Sequence, residues 1–168
     1  MDAAALAALN GLLTRELAAG EALASALETE RAALTGFDVS ALEAATLEKE
    51  RLAGEFDRLD ADRRRLLERF GFGPGRGGMT SLIRAVEDPA YSEGARRLGP
   101  VATRWRKLIA VIERCRSDNQ RNGMIIGLQS RRVTQTLNVL RTGRPDELTY
   151  GRHPLPGLAA AARALGRV

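Results

Sequence analysis

Apolar residues recur at three- and four-residue steps along most of this chain, the signature of amphipathic helices rather than strands. The first block runs from about residue 2 to 34. Leu6, Leu9, Leu13, Leu17, Leu23, Leu27 and Leu34 form one stripe. Thr35-Gly36 reads as its stop. Ser40, with Glu43 three residues on, reads as the capping box of a second helix. That helix is expected over about 40–70. Ala45, Leu52, Leu59 and Leu66 repeat every seven residues, with Leu42, Lys49, Phe56, Arg63 and Phe70 as the companion set. This is a coiled-coil seam with two charged interruptions. Lys49 and Arg63 are expected to lay their stems on the seam and keep their heads in water.

A glycine-rich connector follows over 71–79, Gly71 to Met79. It lacks the Lys-Ser/Thr pair that completes a phosphate-binding loop, and no strand precedes it. Thr80 or Ser81 can cap a short helix through Glu87, ended by Asp88-Pro89. The longest block is expected over 92–142. Gly99-Pro100 is either a kink within it or the start of its main run. From there the seam reads Val101, Trp105, Leu108, Ile112, Cys115, Asn119, Asn122, Ile126, Gln129, Val133, Thr136 and Leu140. At 1.5 Å per residue that run is about 60 Å long, too long to bury in a compact globule. The expected fold is therefore all-α: an elongated antiparallel helical hairpin or coiled-coil bundle of three main helices, spanning 1–143. Residues 144–168 contain "TYGRHPLPG" and read as a flexible C-terminal tail, with a possible short helix at 157–165.

Composition narrows the function. Aromatics are only 4% of the 168 residues, and the formal net charge is +5. The sign is split: residues 1–70 hold 9 Lys and Arg against 14 Asp and Glu, residues 71–168 hold 17 against 7. The halves are expected to pack on one another. The basic residues are dispersed, so nucleic acid is not the expected partner. Cys115 is the one cysteine, which excludes an intramolecular disulfide, and it reads as a small apolar filler. No apolar run approaches the roughly 20 residues of a membrane span, and Asp2 with no basic region after it argues against a secretory signal. A cytoplasmic setting is the expectation. His153 is the single histidine. No nucleophile, base and orienter come together, so the chain is read as no enzyme: no catalytic residue, no metal, no cofactor and no small-molecule substrate. Carboxylate–arginine pairs at Glu28/Arg31, Asp60/Arg64 and Asp62/Arg65 read as solvated helix surface.

The informative stretch is "NQRNGMIIGLQSRRVTQTLNVL", 119–140. Gly123 and Gly127, continued by Ser130 and Thr134, make a small-residue stripe. Each interior glycine costs up to about 1 kcal/mol relative to alanine. The stripe marks a close approach of another backbone, a soft point, or an unconstrained surface. Asn119 and Asn122 fall in the seam with Gln129 beyond. Either they fix register, or that part of the seam is not buried in the free protein. Met124, Ile125, Leu128 and Val139 lie off the seam, so the helix is apolar on two faces and needs two partners.

Asn119, Asn122-Gly123, Ile126, Arg131-Arg132-Val133, Leu137, Leu140, Gly143 and Tyr150-Gly151 together resemble the C-terminal signature of the FlgN family of flagellar export chaperones. The resemblance covers roughly 101–151. Arg152-His153-Pro154 depart from the family's usual polar turn. The resemblance implies a cytoplasmic type III secretion chaperone with no cofactor. It would bind hook-associated (hook–filament junction) proteins, prevent their premature assembly and deliver them to the export gate at the membrane. On that basis Ile125, Ile126, Leu128, Val133, Leu137 and Leu140 are expected to contact an amphipathic client helix. Gly123 and Gly127 would admit its backbone, and Asn119, Asn122 and Gln129 would hydrogen-bond at one edge. Tyr150 is expected to contact the export gate, and the chain is expected to be a monomer or weak dimer. The competing expectation is a coiled-coil scaffold that self-associates through the same face.

Overall fold

The computed structural model describes residues 3–87 and 92–142, and these form four helices: α1 (Ala3–Gly36), α2 (Val39–Arg69), α3 (Gly75–Glu87) and α4 (Ser92–Thr142). No strand occurs among the described residues. The expected tail, its short helix and Tyr150 lie outside them.

The turn after α1 is built by hydrogen bonding. Phe37 takes a left-handed backbone conformation (φ 55°), and Asp38 N–H donates to the Ala33 carbonyl at 3.1 Å. This is a Schellman ending with phenylalanine where glycine is usual. Asp38, not Ser40, then caps α2. Its carboxylate accepts from Ala41 N–H at 3.0 Å and from the Ser40 hydroxyl at 2.9 Å. The Ala41 bond, seconded by Ser40, holds the Asp38 carboxyl below its ordinary pKa. Asp38 outcompetes Ser40 because it bonds both a free N–H group of the first turn, that of Ala41, and Ser40 itself. At the other end of α2, Gly71 (φ 77°) repeats the same ending, with Phe72 N–H donating to the Leu67 carbonyl at 3.0 Å.

The glycine-rich segment is only half a connector, because α3 already starts at Gly75. Gly78 explains the composition. A Cβ there would sit 1.5 Å from the Gly73 carbonyl oxygen, so the loop folds back on the first turn of α3 and admits no side chain.

α1 is the central strut, with α2 and α4 packed along it and α3 leaning on α4. The two-residue turn makes α1 and α2 antiparallel. α4 runs parallel to α1 at a constant offset: Cys115 reaches the Gly20 carbonyl, Asn122 the Leu27 carbonyl and Gln129 the Leu34 carbonyl, each 95 residues apart. At Gly20 the two helices approach closely. A Cβ on it would meet the Val111 side chain at 3.0 Å. The α1 leucine stripe is confirmed at Leu9, Leu13, Leu23, Leu27 and Leu34, all buried. Full burial of each is worth about 1.5–3 kcal/mol. Leu67 rather than Leu66 is the buried residue at the end of the α2 seam. α4 is helical straight through Pro100 and, at 51 residues, is about 76 Å long.

The charged interruptions of the α2 seam do not keep their heads wet. Arg63 is 0% exposed. Its Nε donates to both Glu16 oxygens (2.9 and 3.2 Å), its Nη2 to Asp60, and its guanidinium lies 4.8 Å from the centre of the Trp105 ring. Lys49 pairs with the buried Glu30, which also accepts from Asn122 Nδ2 at 2.8 Å. Glu16 and Glu30 occupy the same heptad face as the leucines of α1. They stand two heptads apart, as do Lys49 and Arg63 on α2. Both pairs therefore close together only in this one antiparallel register.

Candidate functional site

The structure divides α4 into two parts. Up to Asn122 its seam is buried: Val101, Trp105, Leu108, Ile112, Cys115 and Asn122 are all within 4% of full burial. α1 ends at Gly36, which the 95-residue offset places level with Arg131. The helix then continues to Thr142 with no α1 beside it, an overhang of about 16 Å. The seam residues Val133 and Leu140 are therefore open, 59% and 78% exposed, and Leu137 beside them is 57% exposed. On the opposite side, Met124, Leu128 and Val139 form a second exposed apolar stripe.

The expected binding residues fall into three groups. Leu128, Val133, Leu137 and Leu140 are exposed, on two faces of one helix end. Asn119, Gly123, Ile125, Ile126 and Gly127 are half-buried at the junction between bundle and overhang. A Cβ on Gly127 would meet nothing within 4 Å, so the close backbone approach expected there is not made by the described residues. Asn122 and Gln129 already have partners within the chain, as the register-fixing reading expects. Asn122 Nδ2 donates to the Leu27 carbonyl and to Glu30, both at 2.8 Å, and Gln129 Nε2 donates to the Leu34 carbonyl at 2.6 Å. They hold α4 to α1, because α1 carbonyls near its C-terminal end lie alongside. The Glu28/Arg31 pair is corrected. Both side chains reach across instead, Glu28 to Arg114 and Arg31 to Asp118 at 2.9 Å. Asp118 gathers Arg31, Arg114 (3.7 Å) and Arg121 (3.5 Å) around one buried carboxylate. Asp62/Arg65 forms at 2.6 Å on the exposed surface as expected; Asp60/Arg64 also forms at 2.6 Å but is largely buried, because Asp60 also accepts from the buried Arg63.

The chemistry of the rest is structural. Cys115 is buried and its Sγ–H donates to the Gly20 carbonyl; burial, with Asp118 nearby, pushes its pKa up to about 11. That is the opposite of an activated thiol. Burial likewise raises Glu16, outweighing the Arg63 contact that opposes it. Asp57 is raised by partial burial and by Asp60. A shallow groove between α1 and α2 is floored by Ala18, Ala19, Ala22, Leu52 and Leu59, with Arg15, Arg51 and Glu55 at its rim. Arg51 is already committed to Glu48 and Glu55. No metal-binding group of three His, Cys, Asp or Glu occurs among the described residues, and no helix among them is long and apolar enough to cross a membrane. Two groups of residues escaped the sequence reading. Phe37, Val39 and Leu47 are exposed around the α1–α2 turn, and Glu16 and Glu30 are buried. The signal for the second was present, since both glutamates fall in step with the leucines.

Comparison with known proteins fits this architecture. A solved structure of a flagella synthesis protein FlgN from Pseudomonas aeruginosa shares the fold, with a TM-score of 0.55 at 23% identity over 69% of this chain and 84% of that one. The comparison with curated proteins found no match. The family model described as "FlgN protein" matches residues 1–153, nearly the whole length and far beyond the signature in α4, so the chain belongs to the FlgN family.

Proposed function

We propose that this protein is a cytoplasmic flagellar type III export chaperone. It binds hook-associated proteins, holds them unassembled and delivers them to the export gate. Family membership supports a role in flagellar assembly. The observation that carries the binding role is the seam of α4, which runs on past the end of α1 and leaves Val133 and Leu140, with Leu137 beside them, without a packing partner among the described residues. A client helix laid along this seam would continue the heptad packing that α1 makes upstream, with Ile126 at the junction. Gly127 offers open space for its backbone, and Met124, Leu128 and Val139 offer a second contact face. Tyr150 remains the candidate for contact with the gate.

Self-association through the same face is the competing reading. The charge of the overhang disfavours it: two paired copies would together hold Arg131, Arg132 and Arg141 twice over with no acidic residue of the overhang to answer them. The test is co-purification with a hook-associated protein, using wild type and the exposed-site variants Leu137→Asp and Leu140→Asp. Both variants should keep their circular dichroism and lose the client. Light scattering should find the free protein monomeric or weakly dimeric. Normal client binding by folded variants would place the binding face elsewhere.

A further inference from the structure

The overhang carries charge of one sign. From Asn119 to Thr142 the helix holds Arg121, Arg131, Arg132 and Arg141, and no aspartate, glutamate or lysine. Just upstream, two arginines of α4 meet acid. Arg114 pairs with Glu28 and Asp118, and Arg121 with Asp118. Downstream, no ion pair reaches Arg131, Arg132 or Arg141 from the described residues. Helical geometry sets the open strip of Val133, Leu137 and Leu140 between Arg132 on one edge and Arg141, one turn after Leu137, on the other. An apolar strip bordered by fixed positive charge selects for its complement.

We propose that the segment received by the α4 overhang is an amphipathic helix of another protein whose apolar stripe is flanked by aspartate and glutamate. This rests on the reading of the overhang as the client face and adds what the client must look like. Inside the bundle the same solution is already used. Arg31, Arg114 and Arg121 border the α1–α4 contact and are answered by Glu28 and Asp118. The acidic flanks would align the client in register and speed its encounter, because complementary charge raises association rates more than it slows release. A basic amphipathic helix can also lie on an anionic bilayer. Such helices place Trp, Phe or Leu against the lipid and Lys or Arg on the polar face. This one has no aromatic residue from Asn119 to Thr142, and apart from its four arginines its polar positions are filled by Asn, Gln, Ser and Thr. That composition favours protein.

The experiment uses the full chain and three synthetic helical peptides with one leucine heptad seam, flanked by glutamate, glutamine or lysine. Binding is read by fluorescence anisotropy at low and high salt. The glutamate peptide should bind at least about tenfold more tightly than the lysine peptide at low salt, with the gap closing as ionic strength rises. In the Arg131→Glu/Arg132→Glu/Arg141→Glu variant the preference should invert. Equal affinity for the three peptides, no binding to any of them, or an unchanged preference in the variant overturns the proposal. So does binding of anionic phosphatidylglycerol vesicles in place of the peptides. A hook-associated protein is run in parallel. If wild type and the triple arginine variant bind it equally well while Leu137→Asp abolishes binding, the charge rule fails and the client face stands. If Leu137→Asp leaves binding intact, the client face itself fails.

Discussion

Breaking the buried Glu16–Arg63 pair one side at a time should be far worse than removing it whole. Arg63→Met deletes the guanidinium that donates twice to Glu16 and lies over Trp105. Glu16 is then a carboxylate at 0% exposure without its hydrogen-bonded counter-charge. Stranding a buried charge costs about 3–5 kcal/mol, to which the lost cation–π contact adds about 0.5–2 kcal/mol. That is a large share of the roughly 5–15 kcal/mol that holds a domain together. Glu16→Leu alone should cost less, because Arg63 keeps Asp60. The double variant Glu16→Leu/Arg63→Met should return to within about 1–2 kcal/mol of wild type, since an apolar pair needs no compensation for lost hydration. Urea unfolding followed by far-ultraviolet circular dichroism measures all four. A single Arg63→Met cost below about 1 kcal/mol, or a double variant no better than that single one, would refute the buried pair.

The same pair predicts a pH dependence. Burial raises the Glu16 pKa in the folded state above its ordinary value. The folded protein therefore holds that proton more tightly than the unfolded chain. The stability it confers is complete below the ordinary carboxylate pKa and is lost as pH rises through the folded value. Measured against Glu16→Gln, wild type should gain most in acid and lose that advantage towards neutrality. A difference that grows with rising pH would mean the carboxylate is favoured in its charged form.

Three further outcomes follow from single positions. Phe37→Gly relieves a left-handed backbone at a residue 72% exposed, and should raise stability by about 0.5–1 kcal/mol in the same urea assay; a loss would show that Phe37 packs. Gly127→Ala fills open space inside a helix and should also add up to about 1 kcal/mol. It should lower client affinity several-fold in a titration; unchanged affinity would remove Gly127 from the face. Cys115 should react with a thiol-specific disulfide reagent only as fast as the protein unfolds, and labelling of the native state at the rate of a free thiol would contradict its burial.

Helix existence was legible in the sequence because the leucines of α1 and the α4 seam keep their three–four rhythm. The charged seam positions were visible but misjudged. Long basic side chains usually reach water, and Lys49 and Arg63 instead meet Glu30 and Glu16 on the facing helix. Reading one helix at a time hides this, whereas placing the two heptads side by side reveals two opposite-charge pairs in matching register. The α2 cap was misplaced by two residues because Ser40 and Asp38 are both good caps, and only the turn geometry chooses Asp38. The parallel run of α4 on α1 was beyond pattern reading, since the direction depends on how α3 and its glycine loop return the chain. The candidate stretch stands out by its surplus of apolar residues. Which of its polar residues were already engaged became clear only from the Leu27 and Leu34 carbonyls that Asn122 and Gln129 meet.

Amide hydrogen exchange on the complex tests most directly whether the client lies on the overhang of α4. In the free protein, backbone amides of 132–142 should exchange quickly, since this segment has no α1 beside it. With a saturating hook-associated protein, exchange there and through the junction at Ile126 should slow by at least about tenfold, while the Leu9–Leu34 core of α1 stays unchanged. Protection confined to the α1–α2 turn, or none across 126–142 at saturation, would contradict it.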